Sequence, residues 1–151
     1  HLPGPDLVVC AINAYTMSLQ IAVRNIGNIA TNDPAYGLWS GAFWVDTYLN
    51  PDPIPDRVNQ TWDQVSDQGM AHGVTVVLEP GDVLVLSDDF YWPEYSNWEF
   101  PLTAGDLVCV QVDSANTGNE LGAVIESREH NNVECTIVYE DGPFQRSLPQ
   151  R

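Results

Sequence analysis

Val108, Val110 and Val112 occupy every second position, with Cys109 and Gln111 between them, and the run stops at Asp113. A period of two places the three valines on one side of an extended segment, which makes it a strand with one buried face. The same period governs Met17, Leu19, Ile21 and Val23, which alternate with Ser18, Gln20, Ala22 and Arg24. Strands that are apolar on one face must bury that face against another layer, so this alternation restricts the chain to packed sheets.

Further strands are expected at residues 7–12, 43–49, 74–78, 83–86 and 133–139, all rich in β-branched or aromatic side chains. The breaks between them carry turn chemistry. Asn25-Ile26-Gly27-Asn28 supplies residues that accept positive φ, Glu79-Pro80-Gly81-Asp82 pairs a fixed φ with a free one, and prolines 51, 53 and 55 end the third strand. Residues 57–72 have no strong period and suggest a short strand or a helical turn near residues 58–65. Asn59-Gln60-Thr61 is a glycosylation sequon, a motif too short to carry weight alone. The expected fold is all-β: an antiparallel β-sandwich of about seven strands, with long loops at 50–73 and 87–104.

Several stretches together resemble the CARDB family, the cell-adhesion-related domain found in bacteria. They are Pro5-Asp6-Leu7-Val8-Val9, Val23-Arg24-Asn25-Ile26-Gly27, residues 43–49, Leu78-Glu79-Pro80-Gly81-Asp82, and the ending in which Val112-Asp113 is followed by Glu126, Glu129 and Asn131-Asn132. The resemblance spans most of residues 5–139 and implies an immunoglobulin-like or fibronectin-III-like β-sandwich with its strands in Greek-key order. Residues 50–73, 87–104 and 117–123 exceed the family's usual connections, so features particular to this protein are expected there. Residues 1–6 and 140–151 are expected to be arms or linkers around a single domain.

The 151 residues suit one domain with a sizeable core. A net charge of −16, with no lysine and five arginines, repels phosphate backbones and anionic lipid, which excludes nucleic acid as a partner. No apolar run approaches the roughly 20 residues that span a bilayer, so membrane insertion is not expected. Cys10, Cys109 and Cys135 permit at most one internal disulfide. By alternation Cys109 goes with Gln111, and Cys135 with Val133 and Ile137, so the two are expected on opposite faces, as small hydrophobes.

Three constellations are candidates for function. The first is the aromatic run from Phe90 to Phe100, from which Tyr91, Trp92, Tyr95, Trp98 and Phe100 are expected to bind a protein partner or a carbohydrate, since such rings bury large apolar area at little entropic loss. The competing reading is a cap over one end of the sandwich. The second is the acidic loop, where Asp113, Asn116, Glu120, Glu126 and Glu129, with Asn119, Asn131 and Asn132 nearby, offer oxygens suited to calcium. Here the competing reading is that these side chains satisfy backbone donors in a wide turn. No cofactor other than calcium is expected. The third is His1, which with His130 resembles the copper brace of lytic polysaccharide monooxygenases; His72 is less well placed.

No nucleophile motif or phosphate loop is present. The expected function is therefore a non-catalytic, extracellular adhesive or structural module of the cell surface, either one bead of a longer protein or a self-assembling, pilus-like or filament subunit. A carbohydrate-binding module is the alternative, and an N-terminal-histidine copper enzyme a further one.

Overall fold

A computed structural model describes residues 3–33, 35, 42–114 and 132–140. Its described residues form seven strands in two antiparallel sheets with almost no helix. One sheet has three strands in the order β1 (Leu7–Tyr15), β2 (Ser18–Asn25), β5 (Val83–Ser87). The other has four, in the order β4 (Gln68–Val74), β3 (Phe43–Leu49), β6 (Leu107–Val112), β7 (Val133–Ile137). The chain changes sheets between β2 and β3, between β4 and β5, and between β5 and β6.

The alternating residues fill the space between the sheets. Leu19, Ile21 and Val23 of β2 meet Val108, Val110 and Val112 of β6 in one buried cluster with Val45 and Met70. Register explains this sharing of faces: Val112 stands opposite Val45, and Val110 opposite Thr47.

Four expectations need correction. A strand stands at Gln68–Val74, inside the expected 50–73 loop, whereas residues 75–78 pair in neither sheet. The inward residues of β4 are Met70, His72 and Val74 and the outward ones Gly69, Ala71 and Gly73, as their pairing with β3 requires. A histidine among the inward residues and glycines among the outward ones conceal the period of two. Residues 75–78 instead follow side-chain anchors: Leu78 donates its N–H to Thr31 Oγ1 at 3.0 Å, and its carbonyl accepts from Asn25 Nδ2 at 3.0 Å.

Cys109 and Cys135 do not face opposite sides; they are cross-strand partners joined in a disulfide. The expectation assumed that Val133 and Ile137 point into the core. In fact β7 is a sheet edge whose Ile137 is 48% exposed, and the register sets Val133 opposite Gln111, on the outer face. Finally, residues 4–6 belong to the domain rather than to an arm. Gly4, Pro5 and Asp6 are buried, with Asn28 N–H donating to Gly4 O at 3.1 Å and Ile26 N–H to Asp6 O at 2.8 Å. A Cβ on Gly27 would lie 2.2 Å from Gly4 O, so the close approach needs glycine there.

Candidate functional site

The outer face of the four-stranded sheet is covered rather than bare, and the side chains of β3 explain why. Phe43, Val45, Thr47 and Leu49 face inward, leaving Trp44, Asp46 and Tyr48 on the outside, where Asp46 and Tyr48 are nonetheless buried. Polar groups buried on a sheet surface must find partners. They find them in a strap of residues 51–66 that crosses this face. The Tyr48 hydroxyl donates to Gln60 O at 2.6 Å and stands 2.8 Å from the Gln111 side-chain amide. Asp46 accepts from Trp62 N–H through Oδ2 at 2.8 Å and from Ser114 Oγ–H through Oδ1 at 2.8 Å. Asn59 N–H donates to Ser114 O at 2.7 Å.

The strap ends in a single helical turn, α1 (Trp62–Val65), whose Trp62 ring lies where a Cβ on Gly69 would be, 2.3 Å from Trp62 Cγ. The small outward residues of β4 therefore make room for an aromatic side chain. The free edge of β4 is closed by residues 92–97: Trp92 N–H donates to Ala71 O, Gly69 and Asn97 exchange both backbone bonds, and Ala71 N–H donates to Ser96 Oγ. Unpaired strand edges invite aggregation, and a covering segment removes the hazard. A 3₁₀ turn at Pro93–Tyr95 lifts Glu94 and Tyr95 over the outer face, where Trp62 Nε1–H donates to Tyr95 O at 2.8 Å.

Strap and edge segment leave an open cleft of about 660 Å³ between them. Trp44, Trp62 and Tyr95 are its aromatic lining, and Asp46, Asp63 and Glu94 its acidic one. The rings are not coplanar. Trp44 meets Tyr95 at 84° with centroids 5.7 Å apart, and Trp92 at 90° with centroids 6.0 Å apart. Among the described residues no basic side chain lines the cleft. Burial pushes the Asp46 carboxyl up to about 6, against the hydrogen bonds from Trp62 and Ser114, and the neighbouring Asp63 charge adds to the rise. The Asp46 carboxylate ties Trp62 of the strap to Ser114 at the end of β6 and so positions the cleft. Burial also raises Tyr48, assisted by the charges of Asp46 and Asp63.

The aromatic run divides between this cleft and the interior. Tyr95 lines the cleft, and Trp92, 48% exposed, packs edge-on to Trp44 outside it. Trp98 is buried in the core against Phe100, with ring centroids 6.2 Å apart, while Tyr91 and Phe100 pack partly buried against the same cluster. Trp98 therefore presents no ring to a partner, because the bridge at Asn97 turns the next side chain inward. The structure also brings in three residues absent from the expected site, Trp44, Asp46 and Trp62. Of these only Asp46 had a sequence signal, a carboxylate within a strand otherwise free of charge.

Asp113 is buried at the end of β6 with φ 58°. The other proposed calcium ligands, Asn116, Glu120, Glu126 and Glu129, lie outside the described residues, as do Asn119, Asn131, His1 and His130. Among the described residues no group of three or more His, Cys, Asp or Glu side chains is arranged to hold a metal ion. His72 is on the inner face, its Nε2 2.9 Å from Ser87 O, and burial lowers its pKa. No helix among the described residues is long and apolar enough to cross a membrane. The chain matches no protein-family model and no curated protein.

Proposed function

We propose that the protein is a non-catalytic, extracellular adhesive module that recognises its partner through the cleft on the outer face of the four-stranded sheet. The observation that carries this reading is the joint use of β3, the strap and the edge segment to build one aromatic and acidic recess. Simple closure of the sandwich would not require it. Recesses of roughly 300–1,000 Å³ lined by aromatic side chains with a few polar groups are the usual form of a binding site. The Cys109–Cys135 disulfide supports an oxidising location, since such bonds persist mainly outside the cytosol. The two facing antiparallel sheets suit an adhesive module of the sandwich type.

The test follows the Trp62 indole N–H resonance while the full chain is titrated with panels of glycans, peptides and small ions. A saturable shift of Trp62 that disappears in Tyr95→Ala is expected. Binding that leaves Trp62 unmoved and perturbs another surface overturns the assignment of the cleft.

A second reading, self-assembly, is favoured by the outer face of the three-stranded sheet. Val83 and Val85 are each 54% exposed there on β5, Cys10 and Ala11 are exposed on β1 across β2 from them, and Arg24 is the only charged residue within β1, β2 and β5. In a chain of net charge −16, a face without carboxylates is where two copies repel least. Sedimentation under reducing conditions would show association that rises with concentration and is lost in Val85→Arg; a monomer at every concentration removes this reading.

A further inference from the structure

We propose that the group held in the cleft is an organic cation, an alkylated ammonium such as a trimethylammonium carried on a longer molecule. The inference rests on the reading of the cleft as the recognition site and specifies its ligand. Three observations lead to it. First, the lining carries Asp46, Asp63 and Glu94 and, among the described residues, no basic side chain, so these carboxylates make the potential inside negative. Second, Trp44 and Tyr95 stand at 84° to one another, with Trp62 bonded to the Tyr95 backbone. Rings so inclined surround a rounded group from more than one direction, whereas a flat sugar face stacks on coplanar rings. Aromatic faces attract cations through the ring quadrupole, most strongly for Trp.

Third, the polar groups of the lining below the rim are already engaged in hydrogen bonds, so the charged acceptors left to an incoming group are the exposed carboxylates of Asp63 and Glu94. Asp46 uses both oxygens on Trp62 and Ser114, Trp62 Nε1–H is given to Tyr95 O, Ser96 Oγ–H is given to Trp92 O, and Thr61 Oγ–H is given to Asp63 at 2.6 Å. A primary ammonium is strongly hydrated and, on entering, must replace its water with acceptors. An alkylated ammonium has few or no N–H groups to satisfy and loses far less. Glu94 and Asp63 at the exposed rim supply charge without needing a directed bond. The cleft of about 660 Å³ exceeds one trimethylammonium group, which leaves room for the chain that bears it.

The experiment titrates the full chain with choline and, separately, with N-acetyl-trimethyllysine methylamide, which distinguishes a small-molecule headgroup from a methylated protein side chain. The neutral isostere 3,3-dimethylbutan-1-ol and a panel of oligosaccharides serve as comparisons. The Trp62 indole N–H and the ligand N-methyl protons are followed by NMR. Saturable binding of at least one cation is expected, with upfield-shifted methyl protons and the neutral isostere weaker by about tenfold. Tyr95→Leu is expected to weaken the cation by about fivefold, and Glu94→Gln by about twofold with the difference fading at high salt. Equal binding of the neutral isostere, or cation binding indifferent to both substitutions, overturns the proposal. If an oligosaccharide shifts Trp62 and no cation does, the ligand class is wrong and the recognition reading stands. If nothing in any panel moves Trp62, both fall.

Discussion

Asn25 closes the end of β2 with every hydrogen-bonding valence of its amide in use. Its Oδ1 accepts from Asp6 N–H and Gly27 N–H, each at 3.0 Å, and its Nδ2 donates to Ile29 O at 2.9 Å and Leu78 O at 3.0 Å. One buried side chain thus ties the lead-in, the turn and the segment before β5. Asn25→Ala is expected to lower stability by about 3 kcal/mol, read from the chemical denaturation midpoint, because several buried backbone groups lose partners together. Asp46 is a second such residue, but its charge makes it sensitive to pH. Its folded pKa, about 6, lies above the ordinary aspartate value of 3.8, so the native state binds the extra proton between these values. Its contribution is therefore most favourable below pH 3.8 and is lost as pH rises through 6. Asp46→Asn removes the buried charge and keeps an acceptor for Trp62 N–H, while its Nδ2 meets Ser114 Oγ, a hydroxyl that can turn to accept. The variant is expected to exceed the parent at pH 8 by about 1–3 kcal/mol. His72 acts in the opposite sense: burial lowers its pKa below the ordinary value of 6.5, so its contribution is lost as pH falls below that value. In Asp46→Asn, denaturation midpoints measured from pH 8 to pH 4 should accordingly decline on acidification, with the opposing Asp46 effect gone.

At the scale of elements, the strap and β4 are built for each other. Gly69 has space for no side chain because the Trp62 ring occupies it, and the Trp62 amide in turn caps Asp46. Gly69→Val is expected to expel Trp62, shift its indole resonance, open the cleft and destabilise the domain by about 2–3 kcal/mol, as overpacking does. If the Trp62 resonance stays in place, the strap is not seated through Gly69. This pairing was not visible in the chain. A glycine in a strand usually signals a bulge or a close backbone approach, and nothing local to Gly69 says that a tryptophan seven residues earlier comes to rest on it. The short α1 turn, in contrast, falls within the 58–65 stretch where the missing period suggested one.

Across the whole molecule, the sheets are joined by the core and the last edge strand by a covalent bond. The Cys109–Cys135 bridge spans a sequence separation of 26 and ties β7 to β6. Replacing both cysteines by alanine is expected to lower stability by about 3–4 kcal/mol, the entropy of closing a loop of that length in the unfolded chain. Urea midpoints of the double variant and of the reduced parent should then coincide.

Alternation at residues 17–23 and 108–112 was enough to determine two facing sheets, since a period of two leaves apolar faces that only another layer can bury. It placed β2 and β6 near their observed positions, although Met17 falls 64% exposed in the turn before β2, while β-branched and aromatic content placed β3 and β5. The cleft was decided elsewhere. Trp44, Trp62 and Tyr95 are separated by 18 and 33 residues along the chain and meet only because β3 pairs with β4 and residues 92–97 close the edge of β4. The disulfide likewise depended on register, which sets Cys109 opposite Cys135 whatever their neighbours' hydropathy suggests. Periodicity is a local property that survives in one dimension. Which outward face is covered, and by what, depends on contacts between segments far apart in the chain, and these exist only once the sheets have formed.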